Sequence, residues 1–286
     1  MGHHLHRRYR ISSRRPPHAG CHLRALPVGL AFLAFRRRLP EGAWWWRSLL
    51  LGVLNIGAFF ALLFVAAFRL PGGVAANAGA IQPLVAAGLA TVTLGEAFTR
   101  HVALAGVAGI AGVAILALGP EATLDPFGVA AATAGTLAMA AGVVLTKNWG
   151  QPVDLITFTG WQLTAGGLFL VPILLATEGI PTSMSATNLA GFAWLAIVGT
   201  GVAYANWFQG IGALPIAIVS FLALLSPLVA TLAGWIALDE TLTTIQLAGA
   251  ALVITAVITP HLARRDKATQ TTSSTEPHDE FDCVPV

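Results

Sequence analysis

Charge is what this sequence has least of. Of its 286 residues only 10% are Asp, Glu, Lys or Arg, against roughly 25% in an ordinary soluble domain. Sixty consecutive residues, 179–238, contain none at all. A bilayer-crossing helix needs about 20 apolar residues, so this stretch holds two spans and their connection, and a soluble globular core is excluded. Cysteine is nearly absent. Cys21 and Cys283 lie at opposite ends of the chain, which excludes a disulfide framework and a thiolate metal site. No Asp or Glu falls in the middle of an apolar run, and none of the eight histidines sits mid-span. Clustered catalytic or metal-ligating groups at membrane depth are therefore missing. The chain is not read as an enzyme, and no cofactor is expected. The usual intramembrane proton carrier, a buried carboxylate, also has no candidate, and the absence of a G-x-x-x-x-G-K-[ST] loop removes nucleotide-driven pumping.

What is present is hydrophobic length. Nine runs, eight of them uncharged, approach bilayer length: 20–35, 49–68, 73–94, 102–118, 127–145, 155–176, 189–210, 215–238 and 245–258. The first carries Arg24, the one charged residue placed inside a span. Backbone polar groups must be satisfied within lipid, so spans are helices or closed-barrel strands. These runs are too long and too evenly apolar for strands, which predicts an all-α polytopic membrane protein. Residues 1–19 form a basic tail with five arginines, and 262–286 form a Thr-, Ser- and acid-rich tail; both are expected to be disordered.

Basic residues orient such a protein, because cytoplasmic connections are enriched in Lys and Arg. Taken alternately, the connections on one side collect Arg36, Arg37, Arg38, Arg47, Arg100, Lys147, Arg264, Arg265 and Lys267; the other side, the N-terminal tail apart, has only Arg69. The C-terminus is thus expected in the cytoplasm and the protein in the cytoplasmic (plasma) membrane. The formal charge of +3 serves this orientation and implies no nucleic-acid partner. The expected partners are the lipid bilayer, a small-molecule substrate and, through small residues Ala105, Gly109 and Gly112, either neighbouring helices or a second copy.

Two stretches of the chain echo one another at a constant offset of 144 in numbering. Leu70-Pro71 matches Leu214-Pro215, Gln82-Pro83-Leu84-Val85-Ala86 matches Ser226-Pro227-Leu228-Val229-Ala230, Gly95-Glu96 matches Asp239-Glu240, and Gly57 matches Gly201. After a one-residue gap Leu104-Ala105-Gly106 matches Leu247-Ala248-Gly249; upstream, an offset of 138 aligns Arg24 with Gln162. The repeats are 20–118, with four spans, and 127–258, with five. An odd-numbered repeat enters the membrane upside down in its second copy, the plan of many secondary transporters. Nine spans then correspond to a ten-span design of two inverted five-helix units without its first helix.

The run Leu70-Pro71-Gly72-Gly73-Val74-Ala75-Ala76, then Gln82-Pro83-Leu84, then Leu94-Gly95-Glu96, with the second-half echoes, resembles the EamA family of the drug/metabolite transporter superfamily. The resemblance extends over about residues 23–258 and looks closest to probable pigment or metabolite exporters. It implies ten helices in two inverted repeats, a substrate cavity partly lined by the first helix, and export of a small amphipathic metabolite or drug-like compound by alternating access. The alternative is a non-transporting truncated membrane protein or an assembly subunit.

The residues expected to carry transport are the polar and helix-breaking ones inside the spans. Pro83 and Pro227, at equivalent positions, are either kinks that merely shape packing or breaks that make discontinuous helices, the best sequence pointer to a midplane site. Around them Asn55, Asn77, Gln82, Gln162, Asn206 and Ser226 interrupt apolar runs, and Tyr204 and Trp207 offer an aromatic wall. Glu96 and Glu240 stand at equivalent helix ends with a gating or coupling role. Arg24 is either a counter-charge for an anionic substrate or a side chain that snorkels to the interface. For Trp44–Trp46 beside Arg47 an interfacial aromatic belt is expected.

Overall fold

The computed structural model describes residues 24–70, 72–117, 125–177, 186–238 and 243–273. These residues are helices and short connections, with no strand among them. In chain order the elements are α1 (Ala25–Arg36), α2 (Trp44–Arg69), α3 (Gly72–Gly79), α4 (Gln82–Leu94), α5 (Arg100–Ala117), α6 (Pro126–Trp149) and α7 (Leu155–Thr177). Next come α8 (Ala186–Ala196, continuing through Ile197–Val202 into Ala203–Ala213), α9 (Ile216–Leu222), α10 (Leu225–Leu238) and α11 (Thr244–Ser273). Five segments are apolar and at least 18 residues long; four shorter ones, Ala25–Arg36, Arg100–Leu116, Ile216–Leu232 and Thr244–Pro260, are apolar too. Together they correspond to the nine runs. The last helix continues through Arg264, Arg265 and Lys267 to Ser273, where composition alone suggests an unstructured tail from residue 262.

The spans keep large apolar side chains on their outer faces, as lipid contact requires: Val92, Leu104, Trp194 and Ile236 are all exposed. Burial therefore cannot be the whole driving force for packing; close backbone approach through small residues replaces it. Two compact units result. One comprises the described residues up to Ala66 together with Ala130–Ala213, and the other Ala67–Val129 with the described residues from Leu214 onward. Each unit draws on both repeats, so the compact units do not follow the order 20–118 then 127–258.

In the first unit α1 lies along α7. A Cβ on Gly29 would come 2.5 Å from the Thr164 backbone nitrogen, and one on Gly167 would come 2.8 Å from the Leu26 backbone. In the second unit α5 and α11 meet where Gly112 and Gly249 each face the other's carbonyl oxygen; a Cβ on either would lie 2.9 Å from it. Gly109 packs on Leu224 and Ala256. The small stripe of α5 is thus used inside the chain.

The repeat is visible in the helix irregularities. α2 contains a π-helical stretch, Val53–Ala58, and α8 contains another, Ile197–Val202, related at both ends by the repeat offset. The breaks recur as well. Between α3 and α4 the Ala80 N–H donates to the Asn77 carbonyl at 3.1 Å. Between α9 and α10 the repeat-equivalent pair does the same: the Leu224 N–H donates to the Phe221 carbonyl at 3.1 Å. Pro83 sits in the first turn of α4, where its missing N–H has no helical partner to lose.

Candidate functional site

The first unit buries a polar cluster within its helices. Asn55 lies in the π-helical stretch of α2 and is fully buried, as is Gln162 of α7. The Asn55 amide donates to Gln162 Oε1 at 2.8 Å and to Thr146 Oγ1 at 3.1 Å. The Thr146 hydroxyl in turn donates to the Gly142 carbonyl at 2.7 Å. The Tyr204 hydroxyl donates to the Asn55 backbone carbonyl at 3.4 Å, and a π-helical turn is where such a carbonyl is available. Gly142 packs directly against the Asn55 carboxamide oxygen, in the space a Cβ would take.

The first unit also holds unpartnered polar atoms. Asn55 Oδ1, Gln162 Nε2, Thr164 Oγ1, Trp207 Nε1 and Arg24 Nε are buried without a hydrogen-bond partner among the described residues. Each such group costs free energy, more in a low-dielectric interior than in water. Gln162 Nε2, Trp207 Nε1 and Arg24 Nε are donors left without an acceptor, whereas Asn55 Oδ1 abuts Gly142 and Thr164 Oγ1 abuts Gly29. An aromatic wall adjoins them: Phe60 and Tyr204 rings are 6.5 Å apart, Tyr204 and Phe208 are 5.8 Å apart, and the Arg24 guanidinium lies 4.9 Å from the Phe60 ring centroid.

The second unit places Asn77 and Gln82 on either side of the first helix break. Asn77 Oδ1 and Gln82 Nε2 are buried and unpartnered among the described residues, as is Ser220 Oγ in α9. Pro83 is buried beside Gln82, whereas Ser226 is exposed and Pro227 half-buried. Both Glu96 carboxylate oxygens accept the Ile216 backbone N–H, at 3.0 and 3.1 Å, so Glu96 ties the turn after α4 to the start of α9. Glu240 lies outside the described residues.

Not every expected residue joins a cluster. Asn206 is exposed and returns its amide to the Val202 carbonyl of its own helix at 2.9 Å. Thr146 and Phe60 are members that the sequence reading does not single out. Phe60 was within reach of the repeat, since it is the counterpart of Tyr204 at the same offset; a threonine among apolar residues gives no signal.

At the helix ends charges are paired. Arg69, the lone basic residue on its side of the alternation, donates to Asp125 at 3.1 Å and lies 4.6 Å from the Phe127 ring centroid. The Arg69 hydrogen bond, followed by that from the Phe127 backbone, holds the Asp125 carboxyl below its usual pKa. Asp154 caps α7: the Thr157 hydroxyl donates to it at 2.7 Å and Arg36 approaches to 3.2 Å. The Thr157 bond first, then its backbone bonds and the Arg36 charge, lower its pKa. Arg47 sits among Trp44, Trp46 and Trp149, at 5.4, 5.7 and 5.3 Å from their centroids, the cluster expected as an aromatic belt. Among the described residues no group of His, Cys, Asp and Glu could hold a metal ion.

The fold is that of a multi-pass helical membrane transporter built from an internal repeat. The model of the EamA-like transporter family matches residues 11–118 and 126–259, and this chain belongs to that family. It is 42% identical over 268 residues to Protein PecM of Dickeya dadantii, across 92% of this chain and 88% of that protein. It is 26% identical to the inner membrane transporter YedA of Escherichia coli K12, across 85% of this chain and 81% of that one. A chloroplastic WAT1-related protein of Arabidopsis thaliana is 28% identical over 82% of this chain, which spans 60% of the plant protein. One crystallised protein shares the fold at a TM-score of 0.73, with 18% identity, over 88% of this chain and 90% of the other. The names of the family and of YedA are those of transporters rather than enzymes.

Proposed function

We propose that this chain is a secondary transporter that exports a small amphipathic metabolite or drug-like compound by alternating access. In this reading it resides in the cytoplasmic membrane with its C-terminus in the cytoplasm, as the distribution of Lys and Arg favours. The observation that carries the proposal is the buried Asn55–Thr146–Gln162 cluster, with Gln162 Nε2 unpartnered, beside Tyr204 and Phe60. A site of a few placed polar groups against an aromatic wall suits a solute with one polar edge and one flat apolar face.

Asn77, Gln82 and Pro83 contribute in a second way. The helix break beside them recurs at the equivalent place in the other repeat, which provides a pair of hinges, and discontinuous helices are the recurrent device of alternating access. Glu96, holding the Ile216 N–H, acts in gating by keeping the start of α9 fixed.

The test is efflux from cells stripped of their own exporters, screened with a panel of planar dyes and small aromatic metabolites. Wild-type protein lowers accumulation of at least one compound, and Asn55→Leu, expressed to the same level, does not. Equal accumulation with wild type, Asn55→Leu and empty vector across the panel would favour a non-transporting membrane protein.

A further inference from the structure

We infer that the substrate is an organic anion, a planar apolar body bearing a carboxylate or a comparable anionic oxygen, and that Arg24 is its counter-charge. The inference rests on the cavity reading above and adds the charge of the ligand.

Arg24 immediately precedes α1 and is half-buried. Its guanidinium lies 4.9 Å from the centroid of the Phe60 ring. Phe60 stands nine residues before Arg69, the end of the 26-residue segment Trp44–Arg69, which is about 13 Å of helix. Tyr204, in ring contact with Phe60, stands nine residues before Ala213, the end of Leu189–Ala213. The neighbours of α1 agree: Gly167 of α7 faces Leu26, and α7 continues a further ten residues to Thr177. By helix length the cation therefore lies alongside the interior of these spans rather than at their ends.

A cation at that depth is tolerated when it is paired or lines a hydrated path. No acid in this chain's spans can pair it. None of the thirteen Asp and Glu residues falls inside a candidate span, and residues 1–23 contain no acid. Among the described residues Arg24 has no ion pair, and its buried Nε has no acceptor. The ring of Phe60 offers partial compensation through its face but no lone pair for the N–H groups. A carboxylate fits the need, because the guanidinium edge presents parallel donors that match its two oxygens. Phe60 and Tyr204 then flank the flat body. Gln162 Nε2 remains for a second polar edge. Arg24 and Gln162 occupy repeat-equivalent positions, one cationic and one neutral.

The experiment compares matched probes differing only in charge, on full-length protein in lipid nanodiscs. Indole-3-carboxylate and indole-3-carboxamide, with the corresponding naphthalene and cinnamic pairs, are titrated by isothermal calorimetry. Wild type binds the carboxylates about tenfold more tightly than the carboxamides, as a charge-assisted pair allows. The ratio falls to about one in Arg24→Gln and is partly kept in Arg24→Lys. Melting temperatures identify any variant that fails to fold, and the wild-type ratio stands without variants. A wild-type ratio of one or less, or an unchanged ratio in folded Arg24→Gln, overturns the anion assignment. In that case loss of both probe types in Asn55→Leu leaves the cavity reading standing. If no probe of either charge binds wild type, both fall.

Discussion

The Phe60 and Tyr204 rings meet edge to face, 6.5 Å between centroids at 66°, and the two residues occupy the same position of the repeat. Each follows the π-helical stretch of its own helix. The duplication thus brings its two copies of one position together beside the polar cluster, with the hydroxyl of one copy reaching the Asn55 carbonyl. Removing that hydroxyl in Tyr204→Phe costs stability by about 1 kcal/mol or less and leaves the wall intact. Replacing the ring in Tyr204→Leu removes the aromatic face. Efflux of a planar substrate is expected to survive the first change and fall at least several-fold in the second; equal loss in both would assign the effect to the hydroxyl.

Gly142 gives a packing test of the cluster. A Cβ there meets the Asn55 carboxamide, so Gly142→Ala displaces Asn55 from Thr146 and Gln162. Overpacking of this kind costs about 1–3 kcal/mol. Gly191, where a Cβ meets nothing within 4 Å, is the control. Thermal melts in detergent are expected to show a lower midpoint for Gly142→Ala alone, with loss of efflux.

Much of this is legible in the sequence, and the reasons differ by feature. Spans are readable because lipid tolerates no charge, and the repeat offset because Pro, Gly and Glu punctuate apolar sequence at fixed places. That offset also marks the π-helical stretches and the helix breaks, which composition alone does not. Which polar residues converge is not readable. Asn206 and Gln162 look alike as amides in apolar runs, yet one turns back on its own helix and the other is buried against α2. Helix rotation decides this, and near-uniform apolarity around each span hides the rotation. The compact units are hidden too, since each is assembled from segments of both repeats.

Asp154 and Asp125 each contribute to stability at the acid end. Both have folded-state pKa values lowered from 3.8, so each favours the folded state above that value and loses its contribution as pH falls through the folded pKa. Melting midpoints are expected to be flat near neutrality and to drop below about pH 4. Asp154→Ala, which also removes the α7 cap and the Arg36 pair, lowers the neutral midpoint and flattens that acid limb. An unchanged limb in this variant would remove Asp154 from the account.

Glu96 separates geometry from charge. Both of its oxygens accept the Ile216 N–H, and the first N–H groups of a helix lack intrahelical partners. Glu96→Gln keeps one side-chain acceptor in place; Glu96→Ala leaves the amide to water or unpaired, at about 1 kcal/mol. If Glu96 acts by holding the start of α9, Glu96→Gln retains most of the efflux and Glu96→Ala loses it, with the melting midpoint falling in the same order. If instead the carboxylate carries a coupling proton, Glu96→Gln is as inactive as Glu96→Ala despite a near-normal melt. Efflux measured in both variants across an imposed pH gradient distinguishes the two, and the two-oxygen hold on Ile216 favours the first outcome.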